Sequence, residues 1–283
     1  MTRSQAMTGW LAIDPPMVRP KPVIDPRHGQ IAAQSLLLLL ELFWLDFGPS
    51  PAQAFVFIAG TQAVEAARAR LTGEPANWKS ALSTGLSLSL LLRTHEPLLW
   101  IAACVLGVGS KYLFRVNGKH LFNPSAFAIV ALLLGTPLVW VSPGQWGTEL
   151  WLAALALSMG CLILSRVARL DISAAFFATH AALLFLRAWM LGDPTAIPIH
   201  QLQSGSVLIF GLFMLTDPRS TPDSGAGRLV FGAVVAALAH VLLFRLQIRE
   251  GMFYALILVS CATPLLDRVW PGPRFTWPRR RGV

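Results

Sequence analysis

Two stretches of the chain place hydroxyl and acidic side chains directly before a proline. One reads Thr94-His95-Glu96-Pro97 and the other reads Thr216-Asp217-Pro218. Each closes a hydrophobic stretch, Gly85 to Pro97 and Gly205 to Pro218, that falls short of the roughly 20 residues a membrane helix needs. Backbone groups freed where such a helix stops must bond to protein or ligand. Paired short segments of this kind are typical of the binding site in repeat-built membrane proteins.

A third motif, Phe122-Asn123-Pro124-Ser125, follows a basic loop that includes Lys119. Asn123 is a favoured N-cap and Pro124 a favoured first helical residue, so the motif predicts a helix start. A helix start beside a lysine also suits an anionic or polar ligand, and the two interpretations are compatible. The predicted binding residues, taken from all three motifs, are Thr94, Glu96, Lys119, Asn123, Pro124, Thr216 and Asp217.

Two further residues suggest specific chemistry. Glu41 lies within the first apolar run, where a carboxylate is costly and therefore a candidate for coupling a proton or cation. A paired structural carboxyl explains it equally well. Trp146, in the segment Val141 to Thr148, could stack on a flat ring or could simply anchor the chain at the membrane interface.

Composition indicates a membrane protein. Hydrophobic residues make up 54% of the chain, charged residues only 13%, and the mean hydropathy is +0.58. A soluble domain carries roughly 25% charged residues. The net charge of +9 does not indicate nucleic acid, because the basic residues form no stripe interleaved with aromatic residues. Cys104, Cys161 and Cys261 are isolated, so no CxxC metal or cluster site is predicted.

Apolar runs separated by charged loops predict an all-α polytopic membrane protein with about ten transmembrane helices. The third and eighth runs are the short ones. The runs lie at 31–48, 52–70, 81–93, 97–114, 124–141, 148–165, 172–191, 203–216, 227–245 and 251–268. The predicted organisation is a disordered cytoplasmic arm (1–30), a first five-helix repeat (31–141), an outer linker (142–147), a second five-helix repeat (148–268) and a basic tail (269–283).

The distribution of charge predicts the orientation. With the N-terminus inside, most of the 23 Lys and Arg residues fall in inner loops, and the outer loops hold Arg93, Arg187, Arg245 and Arg249. This bias follows the positive-inside rule and predicts a bacterial-type inner membrane protein with both termini cytoplasmic. Five helices per half require the second half to be inverted relative to the first.

These motifs, in this order, resemble the NqrB/RnfD family of membrane subunits from sodium-pumping NADH:quinone reductase and the Rnf electron-transport complex. The similarity extends from about Pro26 to Asp267 and rests on Lys119 to Phe127, Ser204 to Pro222 and Gly227 to Ala233. The compact length looks closer to stand-alone relatives such as the UnbU-type proteins of enediyne biosynthesis clusters. The resemblance implies an inverted five-plus-five helix fold similar to that of urea transporters.

The resemblance also implies flavin-mediated electron transfer, with FMN or riboflavin as cofactor and redox subunits as possible partners. Family members carry FMN on the threonine of a Ser-Gly-Ala-Thr motif, which this chain lacks; Thr148 follows Gln145-Trp146-Gly147 instead. A flavin is therefore expected to bind non-covalently. The competing hypothesis is a transporter or channel of the same fold for a small solute or ion, motivated by Glu41 and the missing motif. A third is an assembly protein whose neighbours hold the cofactors.

Overall fold

A computed structural model describes residues 25–45, 48–142, 150–167 and 169–276, which are predominantly helical. The helices are α1 (Pro26–Phe43), α2 (Pro51–Thr72), α3 (Trp78–Leu91), α4 (Pro97–Leu113), α5 (Pro124–Gly135), α6 (Leu150–Val167), α7 (Leu170–Leu191), α8 (Ala196–Leu202), α9 (Gly205–Ile209), α10 (Gly225–Phe244), α11 (Gly251–Ser260) and α12 (Thr263–Val269). A π-helical turn, Phe210–Met214, continues α9. We call α3 the first short segment and Gly205–Met214 the second short segment.

Two small antiparallel ladders connect the helices. Strand β1 (Leu92–Arg93) pairs with β4 (Trp140–Val141), and β2 (Arg115–Val116) pairs with β3 (Lys119–His120). The second ladder is a hairpin in which Asn117 and Gly118 both have positive φ, as a two-residue turn of this type requires. The hairpin therefore directs the chain back from α4 toward the start of α5.

Capping residues explain where several helices begin. The side chains of Asp25, Ser50, Asn123 and Ser224 each accept a hydrogen bond from a backbone amide in the first turn that follows. Proline occupies the first position of α1, α2 and α5, where its missing amide hydrogen has no cost. The predicted helix start at Asn123 and Pro124 is thus confirmed.

Some predicted boundaries differ from those observed. Helix α1 begins at Pro26 because Asp25 caps it, so residues 26–30 belong to the helix and not to the predicted disordered arm. The fifth run, predicted to extend to residue 141, stops at Gly135, where Thr136 turns extended and leads to β4. Residues 1–24 of the predicted arm, and residues 143–149 and 277–283, lie outside the described part of the chain.

By length and composition, two described helices could cross a membrane: α7 and α10. The number rises to four if each of two bent pairs is one span. These are α8 with the second short segment, bent by 49°, and α11 with α12, bent by 51°. Each of the ten predicted runs overlaps a helix or a bent pair, but several of those helices are short, such as α3 with 14 residues and α5 with 12. Ten spans therefore remain a prediction.

Close helix crossings organise the packing. Helix α2 packs on α3 and α4, α7 packs on α10, and α1 packs on α3 and α6. At Gly85 a Cβ atom would lie 2.7 Å from the Phe57 carbonyl oxygen, and at Gly232 it would lie 2.5 Å from that of Ile172. Glycine thus permits the close approach of α3 to α2 and of α10 to α7.

A chain of buried aromatic rings fixes the π-helical turn. The ring centroid of Phe210 lies 5.4 Å from that of Phe176 on α7 and 5.5 Å from that of Phe253 on α11. Aromatic pairs at this separation are favourable beyond the area they bury. The turn is therefore held from two sides, which places its last residues beside the start of α5.

Candidate functional site: a basic cleft between the two short segments

A cleft lies between the start of α3 and the end of the second short segment, and we call it the basic cleft. Its enclosed volume is about 150 Å³. Its basic side chains are Arg27, Lys79, Lys111, Arg115, His120 and Arg219. The opposite wall is apolar and consists of Ile163, Leu164, Leu212 and Phe213. Four predicted binding residues, Asn123, Pro124, Thr216 and Asp217, line this cleft together.

Asn123 is buried, and both polar atoms of its side chain form hydrogen bonds within the protein. The Oδ1 atom accepts hydrogen bonds from the Ala126 amide (3.1 Å) and the Ser125 hydroxyl (2.9 Å), while Nδ2 donates to the Met214 carbonyl (3.1 Å). Asn123 therefore caps α5 and fastens it to the second short segment. It shapes the cleft wall, and the second hydrogen on Nδ2 is not used by these bonds.

Other carbonyls of the second short segment are also satisfied by protein groups. The Ser173 hydroxyl donates to the Gly211 carbonyl (2.6 Å), and the Thr216 hydroxyl donates to the Leu212 carbonyl (2.7 Å). A π-helical turn offers carbonyls to such partners because its own hydrogen bonds are rearranged. The groups that the sequence left open to protein or ligand are thus bound by protein at these two positions.

Asp217 and His120 form the polar edge of the cleft. His120 Nε2 lies 2.9 Å from Asp217 Oδ2, and the Arg219 amide donates to Oδ1 at 3.0 Å. Burial opposes ionisation of Asp217, but the charges of His120 and Arg219 and these hydrogen bonds outweigh it. The pKa of Asp217 therefore lies below its ordinary value. The carboxylate is held in place and ionised at neutral pH.

Lys119 lies beside the basic cleft and faces a different set of partners. Its Nζ atom is 3.0 Å from both Asp223 Oδ1 and Asp267 Oδ2. The residue lines a neighbouring cleft of about 240 Å³ and is nearly buried. Lys119 thus joins the β2–β3 hairpin to the residue before the N-cap of α10 and to α12, and the two carboxylates balance its charge.

The structure does not bring Thr94 and Glu96 to the basic cleft. Thr94 lines a separate cleft of about 500 Å³ with Arg93, His95 and Trp140, which we call the arginine cleft. The Thr94 hydroxyl accepts the Glu96 amide at 3.2 Å, and Glu96 itself is exposed. The expectation that Glu96 and Asp217 face one shared site is therefore wrong, because each motif closes its own turn in a different cleft.

Glu41 is buried and forms an ion pair with Arg93, with Oε2 3.0 Å from Nη2. Arg93 Nη1 also donates to the Ser89 carbonyl at 2.6 Å. Glu41 Oε1 and Arg93 Nε have no partner among the described residues. The pair links α1 to β1, so the alternative of a paired carboxyl describes Glu41 in this structure. Its predicted coupling role stays untested.

A further cavity of about 500 Å³ lies beside the start of the second short segment. It is lined mainly by apolar side chains and includes His180, Ser206 and Phe253. None of the predicted binding residues with a described position lines it. Trp146 and Thr148, the predicted stacking residue and the threonine of the linker, lie outside the described residues.

Sequence reasoning did not select three residues of these clefts. Arg93 and Lys111 entered only as charges that set the topology, and His120 only as part of a basic loop. Lys111 stands inside an apolar run, Leu98 to Phe114, and a lysine in such a run indicates a candidate functional residue. The partners of Arg93 and His120 lie 52 and 97 residues away, so spacing could not reveal them.

Comparison with known proteins agrees with the motifs and the helical fold. The sequence pattern of the NQR2, RnfD, RnfE family matches residues 136–275. Over this region the chain is similar to the NqrB/RnfD family. Relatives named as members of an ion-translocating oxidoreductase complex include a protein of Halorhodospira halophila, which is 27% identical over 85% of this chain and 88% of its own length. The corresponding protein of Stutzerimonas stutzeri is 29% identical over 75% and 80%, respectively.

A third relative from the same type of complex, in Mannheimia succiniciproducens, is 32% identical over 45% of this chain and 36% of its own length. The similarity to this family and the apolar helices together indicate a membrane protein of mostly helical structure. Of the residues discussed above, Thr216 and Asp217 lie within the matched region, whereas Asn123 and Lys111 precede it.

Proposed function

We propose that this chain is a membrane-embedded electron-transfer subunit of the NqrB/RnfD type that binds a flavin non-covalently in the basic cleft. The observation that carries the proposal is the convergence of Asn123, Pro124, Thr216 and Asp217 in one cleft between the two short segments. The complexes named for the relatives are oxidoreductases. A member of such a complex requires redox partners, which we propose are neighbouring membrane subunits.

The chemistry of the cleft suits a flavin. The apolar wall with Phe213 offers a surface for the ring system, and the Asp217–His120 pair offers hydrogen-bonding groups at its edge. When bound, the flavin would supply electron transfer, and the surrounding cations would favour its reduced, anionic form. A cavity of about 150 Å³ accepts a group of roughly benzene size, so one end of the flavin enters and the rest lies in the open mouth.

The proposed architecture is ten spans in two inverted halves. Corresponding helices pack alike in the two halves: α2 on α4 matches α7 on α10, and α4 on α5 matches α10 on α11. Equivalent helices also meet across the halves, since α1 packs on α6 and α5 on α11. This is the arrangement that a pseudo-two-fold axis between inverted repeats generates.

Flavin binding is tested by the absorbance spectrum of the purified protein, by acid extraction of cofactor and by titration with FMN. We expect about one flavin per chain and at least tenfold weaker binding for Asp217→Asn, because one hydrogen bond to a charged group contributes about 1.5–3 kcal/mol. The matched control is His180→Phe in the larger cavity, which should bind as the wild type does. A colourless protein whose addition leaves the flavin spectrum unchanged would refute the proposal.

A second candidate is transport of an ion or small solute without redox chemistry. It is supported by a polar contact between α1 and α3, in which the Gln34 side chain bonds to Ser83 and Ser87 at 3.0 and 2.8 Å. Both serines line the basic cleft, and Gln34 lies about two turns of α1 before Glu41. Proteoliposomes containing the protein would then show flux that Glu41→Gln abolishes. Flux without bound flavin favours this candidate, and its absence counts against it.

A further inference from the structure

Lys111 is a buried cation that touches no carboxylate in the described part of the chain. It is 4% exposed and lines the basic cleft, and its Nζ atom donates to the Ser80 hydroxyl at 3.1 Å. It forms no ion pair with any described carboxylate, whereas Arg27, Lys79 and Lys119 all do. The carboxylates of Glu65 and Asp217 attract the ammonium from beyond contact distance. Burying a charge that touches no opposite charge is still costly, so the position favours a bound anion.

The start of α3 adds positive potential at the same place. Its N-cap residue Asn77 makes no side-chain cap, because its Oδ1 atom accepts a hydrogen bond from Arg27 at 3.3 Å. The first-turn amides therefore keep their hydrogen-bonding capacity, and Ser80 lies in that turn. Uncapped helix starts stabilise negative charge through these amides and the helix dipole.

Arg115 supplies a second available cation. Its Nε atom donates to the Lys111 carbonyl at 2.7 Å, and the guanidinium stacks on the Tyr112 ring. Its two terminal nitrogens have no acceptor among the described residues, and it lines the cleft. Asp217 is the one carboxylate of the described lining, and both of its oxygens are already engaged by His120 and Arg219.

We propose that Lys111, Ser80 and the first turn of α3 form a phosphate subsite with Arg115 at its mouth. A phosphate monoester carries nearly two negative charges and three acceptor oxygens, which matches an ammonium, a hydroxyl, free amides and a guanidinium. For the identity of the ring system this inference rests on the proposed function. Its consequence is that the end entering the cleft is the phosphate, so the flavin is FMN and not riboflavin.

The test compares FMN, riboflavin and inorganic phosphate as probes, using fluorescence titration and thermal unfolding of the purified protein. We expect FMN to bind at least about tenfold more tightly than riboflavin, and Lys111→Met to abolish that preference by weakening the binding of FMN. Without ligand, Lys111→Met should unfold at a higher temperature than the wild type, since it removes a buried unpaired charge; this also shows that the variant folds. Arg70→Met, an exposed cation outside the cleft, is the control.

The outcomes separate this proposal from flavin binding itself. Equal affinity for FMN and riboflavin would overturn the phosphate subsite and leave the proposed function standing. If neither flavin binds but phosphate stabilises the wild type and not Lys111→Met, the subsite stands and flavin binding fails. If none of the three probes binds, both proposals are overturned. Nanodiscs with and without phosphatidate distinguish the source: Lys111-dependent stabilisation by the lipid that blocks FMN would support the subsite and overturn its assignment to FMN.

Discussion

Glu41 and Arg93 show how a buried charge is only partly compensated. One carboxylate oxygen and two guanidinium nitrogens have partners, while Glu41 Oε1 and Arg93 Nε have none in the described structure. Removing one member of a buried pair leaves the other charge uncompensated, whereas removing both removes the problem. The pair therefore contributes to the choice of one structure more than to its net stability.

We expect Arg93→Met to lower the free energy of unfolding by about 3–5 kcal/mol, and the double variant Glu41→Gln/Arg93→Met to recover most of that loss. Thermal unfolding in detergent measures both changes. The matched control is Arg187→Met, which breaks a half-exposed pair with Asp193 and should cost at most about 1 kcal/mol. A double variant no more stable than Arg93→Met would contradict the expectation.

The pKa of Asp217 predicts a pH dependence of stability. Because the folded-state pKa lies below the ordinary value of 3.8, the ionised carboxylate stabilises the fold above that pH. This contribution is lost as the pH falls through the folded-state pKa. The difference in unfolding temperature between wild type and Asp217→Asn should be fully present at about pH 5 and shrink below about pH 4. The exposed Glu96→Gln serves as control, and a difference that grows on acidification would contradict the assignment.

At the scale of single residues, local signals were predictable and distant partners were not. The cap formed by Asn123 follows from its own sequence neighbours, and the structure confirms it. Its bond to the Met214 carbonyl spans 91 residues and depends on how the two short segments meet. The contact between Lys111 and Ser80, 31 residues earlier, could not be predicted because no local pattern pairs the two residues.

At the scale of secondary structure, the crossings at Gly85 and Gly232 set how closely helices approach. We expect Gly85→Ala and Gly232→Ala each to destabilise the protein by about 1–3 kcal/mol, because a Cβ there meets backbone atoms that cannot move aside. Gly109→Ala in α4 is the control, since a Cβ there meets nothing within 4 Å. That change should stabilise the helix by about 0.5–1 kcal/mol. Equal effects at the three glycines, measured by thermal unfolding, would refute the explanation.

Helix starts were easier to predict than helix interiors. The cap and proline at Asn123 and Pro124 predicted the start of α5, and the predicted runs beginning at 52 and 97 start within one residue of α2 and α4. The π-helical turn leaves the apolar pattern of Phe210–Met214 unchanged, so periodicity gave no signal for it. It depends on Ser173, Asn123 and the surrounding phenylalanine rings, which belong to other helices.

At the scale of the whole molecule, the β2–β3 hairpin connects the first half of the described chain to the second. Lys119 bridges Asp223 and Asp267, Arg219 donates to the Gly118 carbonyl at 3.3 Å, and Arg274 donates to the Asn117 carbonyl. The hairpin residues Arg115 and His120 also line the basic cleft. The two halves are therefore fastened together beside the proposed binding site.

The proposed topology predicts which loops a membrane-impermeant thiol reagent can reach. In a background with the three native cysteines replaced, a cysteine at Glu74 should be protected in right-side-out vesicles and labelled in inverted ones. A cysteine at Gly192 should show the reverse pattern. These positions follow α2 and α7, which the inverted-repeat scheme places in equivalent positions with opposite orientation. Labelling of both positions from the same side would refute the inverted arrangement.

The bond between Lys119 and Asp267 also constrains how the protein is made. The two residues are 148 positions apart, so this bridge can form only after nearly the whole described chain has left the ribosome. Throughout that interval the hairpin beside the basic cleft lacks this link to the second half of the chain. A chain ending before α12 would insert its earlier helices and still lack the carboxylate that closes the bridge.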